Sequence, residues 1–190
     1  MTRITDILND LDELAGSDDD VSVGEVQDKI GHRGSGVFLL VPGLIGMSPL
    51  GAIPSVPTIM GLVALLFSVQ IVVGKSSPWL PAVLADRSID DDRLARAVDK
   101  SRGAAGWLDR HFGGRLEALT GDPMVRVAAL FCAALAVTAP FLGVVPFAAA
   151  LPMAGIALFG LALTLRDGAA MLAALVFACG ALYGAFTLTP

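Results

Sequence analysis

Along residues 2–15, apolar side chains recur at Ile4, Ile7, Leu8, Leu11 and Leu14 with acids between them, the spacing of an amphipathic helix closed by Gly16. Ser17-Asp18-Asp19-Asp20 predicts the start of a second, shorter helix with Val23, Val26 and Ile30 on its apolar side and Gly31 at its end. From Gly34 the alternation disappears. Val37 to Ile45 is apolar on every face, yet too short for the ~20 residues of a straight membrane crossing. It runs into a series of helix breakers, Val-Pro-Gly-Leu-Ile-Gly-Met-Ser-Pro-Leu-Gly-Ala-Ile-Pro-Ser-Val-Pro over residues 41–57. Residues 37–56 therefore either cross as a broken helix or enter and return. Pro57 suits a first helical turn, and residues 57–74, interrupted only by Ser68 and Gln70, predict a full crossing. Three more apolar segments follow, at about 124–143, 146–165 and 168–188.

Between them, residues 75–123 form the one long polar stretch. Pro78-Trp79-Leu80-Pro81 puts an aromatic residue among prolines, as in anchors at the headgroup level of a bilayer. Ser88 with Asp91 resembles a capping box, and the following helix carries Leu94, Ala97 and Val98 on one face. Near Ala104 a further helix begins, with Trp107, Leu108, Phe112, Leu116 and Leu119 as an apolar stripe flanked by Arg110, His111 and Arg115, a pattern suited to the membrane surface.

Charge sets the orientation. Eight of the thirteen Lys and Arg residues lie in 75–123, which by the positive-inside rule makes that loop cytoplasmic. If 36–74 is a two-pass hairpin, the N-terminal arm shares that side, and Arg126 and Arg166 join it. Composition agrees: 55% hydrophobic residues, 16% charged and a mean hydropathy of +0.72 predict an all-α, polytopic helical membrane protein with about five membrane segments. Its parts are a cytoplasmic amphipathic arm (1–33), a first membrane half (34–74), a cytoplasmic interfacial loop (75–123) and a second membrane half (124–190). The net charge of -5 arises mainly in the arm, which holds nine of the eighteen acids, so nucleic-acid binding has no support. No basic segment leads into an apolar one at the start, so no cleavable signal is expected. Cys132 and Cys179 sit in apolar runs without metal-ligand spacing.

Broken backbone at this hydrophobicity leaves amides and carbonyls that lipid cannot satisfy, so it is tolerated only inside protein or beside a wet cavity. The breaks also recur. Val41 to Pro49, followed by Pro54 and Pro57, compares with Ala139 to Pro146, followed by Pro152. Paired interruptions of this kind point to a midplane site between related halves; the alternative is that Pro and Gly are simply common in membrane helices. The substrate-binding candidates are Pro42, Gly43, Gly46, Ser48, Pro49, Pro54, Ser55, Pro57, Gln70, Pro146 and Pro152. Gln70 is placed either to bond the opened backbone or to join helices. Arg33 either snorkels to headgroups or faces a ligand phosphate, and Arg166-Asp167 either clamps a headgroup or makes a tight turn. No paired carboxylates or clustered histidines appear in the crossings, so neither an enzyme, a metal site nor a cofactor is expected. Gly180 and Gly184, a Gly-x-x-x-Gly, predict close helix packing and a homodimer.

Gly31-His32-Arg33-Gly34, the Pro/Gly-rich entry before a helix ending near Gln70, Gly74-Lys75 with Pro78 to Pro81, Pro146-Phe147, and Arg166-Asp167-Gly168 together resemble the bacterial ExoD family over residues 25–188. The resemblance implies a multi-pass protein of the inner membrane, associated with exopolysaccharide synthesis and growth under alkaline stress. The chain departs from the family pattern at Ala148-Ala149-Ala150-Leu151 and at Leu165, where polar groups are expected. Two hypotheses follow: a small transporter of an ion or a lipid-linked anionic species, with membrane lipids as partners, or a non-transporting scaffold that docks polysaccharide-synthesis proteins through residues 1–30 and 85–120.

Overall fold

A computed structural model describes residues 4–15, 21–22, 24–25, 35–48, 51, 53, 55–75, 79, 88–89, 96, 98–99, 102–103, 105–108, 110, 121–142 and 148–188. The fold is all-α. Its helices are α1 (Ile4–Ala15), α2 (Gly36–Met47), α3 (Ser55–Val72), α4 (Asp122–Leu142), α5 (Ala150–Leu165) and α6 (Gly168–Leu188). Among the described residues the only extended pairing joins β1 (Val21–Ser22) to β2 (Ser88–Ile89), antiparallel, with Val21 opposite Ile89.

That pairing corrects two expectations. Ser88 lies in β2 instead of starting a helix, because its backbone bonds to the arm. The short helix expected from Ser17 lies mostly outside the described residues, but Val21-Ser22 within it is extended, and Gly24-Glu25 is helical behind a reciprocal cap. The Ser22 N–H and hydroxyl donate to Glu25 Oε2 at 2.8 and 2.9 Å, and the Glu25 N–H donates to Ser22 Oγ at 3.1 Å. The Ser22 N–H and then its hydroxyl hold the Glu25 carboxyl below the ordinary value.

The helix ends follow from local chemistry. Pro42 sits inside α2, which stops at Met47; Ser48 turns extended, and its hydroxyl donates to Ile45 O at 2.7 Å. Pro57 and Pro152 occupy the first turns of α3 and α5, where no N–H is needed. The end of α3 is a Schellman motif: Gly74 has φ +94, its N–H bonds Ile71 O at 2.9 Å, and the Lys75 N–H bonds Gln70 O at 3.0 Å. α5 closes in the same way with a non-glycine residue, Arg166 at φ 48.

Two antiparallel seams organise the bundle. In the first, α2 lies along α5: Gly36 meets Thr164, Leu40 meets Gly160, Gly43 meets Ala157 and Gly46 meets Met153. In the second, α3 lies along α4, with Gly61 against Ala139 and Gly74 beneath Arg126. Phe38 packs on Phe67 at 5.3 Å between ring centroids, and Phe131 on Phe159 at 6.0 Å. The first pair aligns the start of α2 with the end of α3, the second joins the middles of α4 and α5, and the contacts of Gly36 with Thr164 and of Gly74 with Arg126 bring the remaining ends together. One end of the bundle therefore gathers Gly36, Gln70 to Lys75, Asp122 to Arg126, and Thr164 to Gly168. α1 caps this charged end, with Ile7 on Val37 and Leu8 among Val98 and Ala105. α6 packs on α5 and α4 from outside.

Candidate functional site

The residues singled out from the sequence fall into two groups at opposite ends of the bundle. Pro42, Gly43, Gly46, Ser48, Ser55, Pro57 and Pro152 lie toward the uncharged end, where α2 gives way to α3. Pro49, Pro54, Pro146 and Arg33 lie outside the described residues. Gln70, Arg166 and Asp167 lie at the charged end. From Ser55 to Gln70 the rise along α3 is about 22 Å at 1.5 Å per residue.

In the first group, the glycines face α5 instead of open space. A Cβ on Gly43 would stand 2.5 Å from Ala157 N and 2.8 Å from its Cα; one on Gly36 would stand 2.5 Å from Thr164 N. On the facing helix, a Cβ on Gly160 would collide with the backbone N of Leu40. The spacing 153, 157, 160, 164 is a heptad-like stripe on α5, and it lets two backbones meet as small residues do in membrane helix pairs. Pro42 and Pro152 are buried beside this seam, whereas Ser55 is exposed.

The second seam uses a proline differently. Pro140 has no N–H, so it cannot pair the carbonyl of Ala136 four residues earlier. That carbonyl lies 3.3 Å from where a Cβ would stand on Gly61. The absent side chain therefore lets α3 close against the interrupted turn of α4. Thr138 and Thr164 return their hydroxyls to their own helices, at 2.7 Å to Leu135 O and to Gly160 O. The Ser68 hydroxyl is wholly buried in α3 and has no hydrogen-bond partner.

At the charged end, Gln70 reaches the loop and not the opened backbone. Its Nε2 donates to Trp79 O at 2.9 Å and to Leu66 O at 3.3 Å, while the Trp79 N–H donates to its Oε1 at 2.7 Å. The physical reason is position: two residues before the end of α3, its side chain meets the chain as it folds back. Arg166-Asp167 forms the tight turn. Asp167 is completely buried, and its Oδ1 accepts the N–H groups of Ala169 and Ala170 at 2.9 and 3.0 Å as the N-cap of α6. Arg166 is exposed in the left-handed conformation.

Two features escaped the sequence reading. Gly36 and Gly160 are further points of close backbone approach in the first seam, and the spacing of seven from Gly36 to Gly43 and of three from Ala157 to Gly160 was the available signal. Arg126 carries its guanidinium across to Gly74, with Nη2 3.6 Å from the Cβ position there. Nothing in the spacing announces that approach.

An all-α bundle with α3 and α4 both long and apolar enough to cross a membrane, and with the charges among its described residues gathered at one end, defines the class of this protein. The family described as "Exopolysaccharide synthesis, ExoD" matches residues 4–187, and the chain belongs to it. It is similar to Protein ExoD of Rhizobium meliloti (strain 1021), with 34% identity over 152 residues, or 78% of this chain and 62% of that protein. The chain thus spans less than two thirds of the curated relative it matches. No solved structure matches it.

Proposed function

We propose that this chain is a multi-pass protein of the bacterial inner membrane, with its N-terminal arm in the cytoplasm. In this reading it supports exopolysaccharide production and alkaline tolerance by moving an ion or a lipid-linked anionic species between two related halves. The observation that carries the reading is how the helices pair. The first helix of each half lies against the second helix of the other, α2 on α5 and α4 on α3. In both seams the facing residue numbers add to about 200, as for Gly43 with Ala157 and Gly61 with Ala139. In sequence, a shift of 98 positions relates Pro42 to Pro140 and Pro54 to Pro152, the relation expected if a two-fold axis joins the halves. Related halves with helices interrupted at corresponding points are a recurrent plan of secondary transporters, in which one half rocks against the other about a central site.

Insertion in a bilayer has its own support. The 18-residue windows of α3 and α4 are only 33% buried inside the protein, whereas the core helix of a soluble domain is mostly buried. At about 31 Å, the 21 residues of α4 match a hydrocarbon core of ~30 Å. α2, at 12 residues, reaches about 18 Å and ends within the bundle's apolar depth.

The test is flux in liposomes holding the purified protein under a pH gradient, with sodium, potassium and a fluorescent prenyl-phosphate lipid offered in turn. Pro42→Ala and Pro140→Ala return an N–H to the ladders of α2 and α4, and each is expected to lose most of the flux while inserting at normal levels. Undiminished flux in both variants defeats the rocking of interrupted helices. No movement of any solute by folded, inserted protein turns the reading toward a scaffold. Within α1, such a scaffold would use the acidic face, because Ile7 and Leu8 on the apolar face are already buried within this chain.

A further inference from the structure

Gln70 and Trp79 belong to separate sequence motifs that the fold joins. The Gln70 amide gives and takes one hydrogen bond each with the backbone of Trp79, as one rung of a sheet would. The loop beyond Gly74 is thereby tied to the last turn of α3, and the indole of Trp79 is left 60% exposed. An indole held outward at the end of an apolar helix is suited to the headgroup level of a bilayer. One helical turn beyond Gln70, Arg126 reaches from α4 over Gly74, and Lys75 follows Gly74 in the chain. Both cations are exposed. Among the described residues the ion pairs belong to Arg102, with Asp12 and Asp99. Asp122, one turn before Arg126, makes no ion pair with it, although its charge lowers the local positive potential. Two uncompensated cations and a tethered indole thus meet at one turn of helix.

We infer that this corner of the charged end, built from Lys75, Trp79 and Arg126, binds the phosphate of an anionic lipid headgroup. The inference rests on the reading that α3 and α4 cross a bilayer. The guanidinium of Arg126 presents a planar fork that matches two phosphate oxygens, and the Lys75 ammonium adds a mobile point charge. Trp79 lies against the glycerol region below them. Gln70 is a positioning residue, acting only through the backbone of Trp79.

The test uses the full chain carrying Trp107→Phe, an exposed position, so that Trp79 is the sole tryptophan. It is placed in phosphatidylcholine vesicles containing phosphatidylglycerol, with bromine on the acyl chains of one lipid at a time. Brominated phosphatidylglycerol is expected to quench Trp79 more strongly than brominated phosphatidylcholine at equal mole fraction. The local enrichment should be about fivefold for each cation near the surface. Lys75→Ala with Arg126→Ala should bring the two quenchers level. Gln70→Leu should weaken quenching by both lipids while leaving the preference of the remaining contacts for phosphatidylglycerol, because only the depth of the indole changes. Equal quenching in the chain with both cations, or a preference that survives the double substitution, overturns the site and leaves the membrane reading standing. Absence of quenching by either lipid overturns both. Loss of the preference on adding inorganic phosphate at constant ionic strength overturns the lipid assignment in favour of free phosphate.

Discussion

At Gly160 a single methyl group decides whether two helices can touch. Its Cβ would fall on the backbone of Leu40 and 2.9 Å from Gly36 O, and backbone cannot swing aside as a side chain can. Gly160→Ala is therefore expected to destabilise the protein by about 1–3 kcal/mol, the cost of overpacking, measured by denaturant titration in detergent. Gly180→Ala is the contrast. Inside a single chain a Cβ there meets nothing within 4 Å among the described residues, so in detergent-dispersed monomer this helical Gly→Ala change gains about 0.5–1 kcal/mol from backbone entropy. Equal responses at the two positions would contradict the close approach of α2 and α5. The sequence marks both residues as small and neither as the critical one, since a Gly in an apolar helix looks the same whether it faces a helix or lipid. Gln70 makes the same point. Its polarity stands out in the sequence, but its partner is backbone nine residues on, with no side-chain signature to search for.

Among the elements, the turn between α5 and α6 concentrates opposing effects in two residues. Arg166 holds a left-handed conformation that costs a residue with a Cβ about 1–2 kcal/mol, and Asp167 caps the helix that follows. Arg166→Gly should raise stability by about 1 kcal/mol. Asp167→Ala should lower it by at least ~1 kcal/mol, since the first-turn N–H groups of α6 lose their acceptor inside the fold. Thermal unfolding of the two variants against the parent checks both signs. The helices themselves were largely legible: α3, α4, α5 and α6 lie within a few residues of their expected spans, because long uninterrupted apolar runs admit little else. The arm was less so. Val21-Ser22 and Ser88-Ile89 pair as strands across 66 positions, and a contact that distant overrides local helical spacing. Pro42 was read as a break, yet it lies inside α2, where neighbouring helices support the interrupted turn.

For the molecule as a whole, one face of α6 remains uncovered. Val176 and Tyr183 are 75% and 73% exposed, and among the described residues a Cβ on Gly180 would meet nothing within 4 Å. We propose that a second copy packs there, through the close backbone approach that Gly-x-x-x-Gly permits. The protein carries its own reporter, because Cys179 is exposed on that helix and Cys132 is buried. Mild oxidation in native membranes should give a dimer that Cys179→Ser abolishes and Cys132→Ser leaves intact. A chain that stays monomeric under oxidation, and runs as a monomer in crosslinking through lysine as well, would count against the pair.

By itself, the sequence determined the all-α class, the helical spans and the gathering of charge at one end, since each follows from hydropathy and charge read along the chain. Family membership was legible too, through motifs in fixed order. Tertiary structure alone decided which small residues face a helix, that Gln70 tethers Trp79, that Asp167 is a buried cap, and that Arg126 lies over Gly74. The physical reason is common to all four. Burial along one helix is a periodic property of neighbouring residues, whereas the register between helices is set by packing among residues tens of positions apart, which no local pattern encodes.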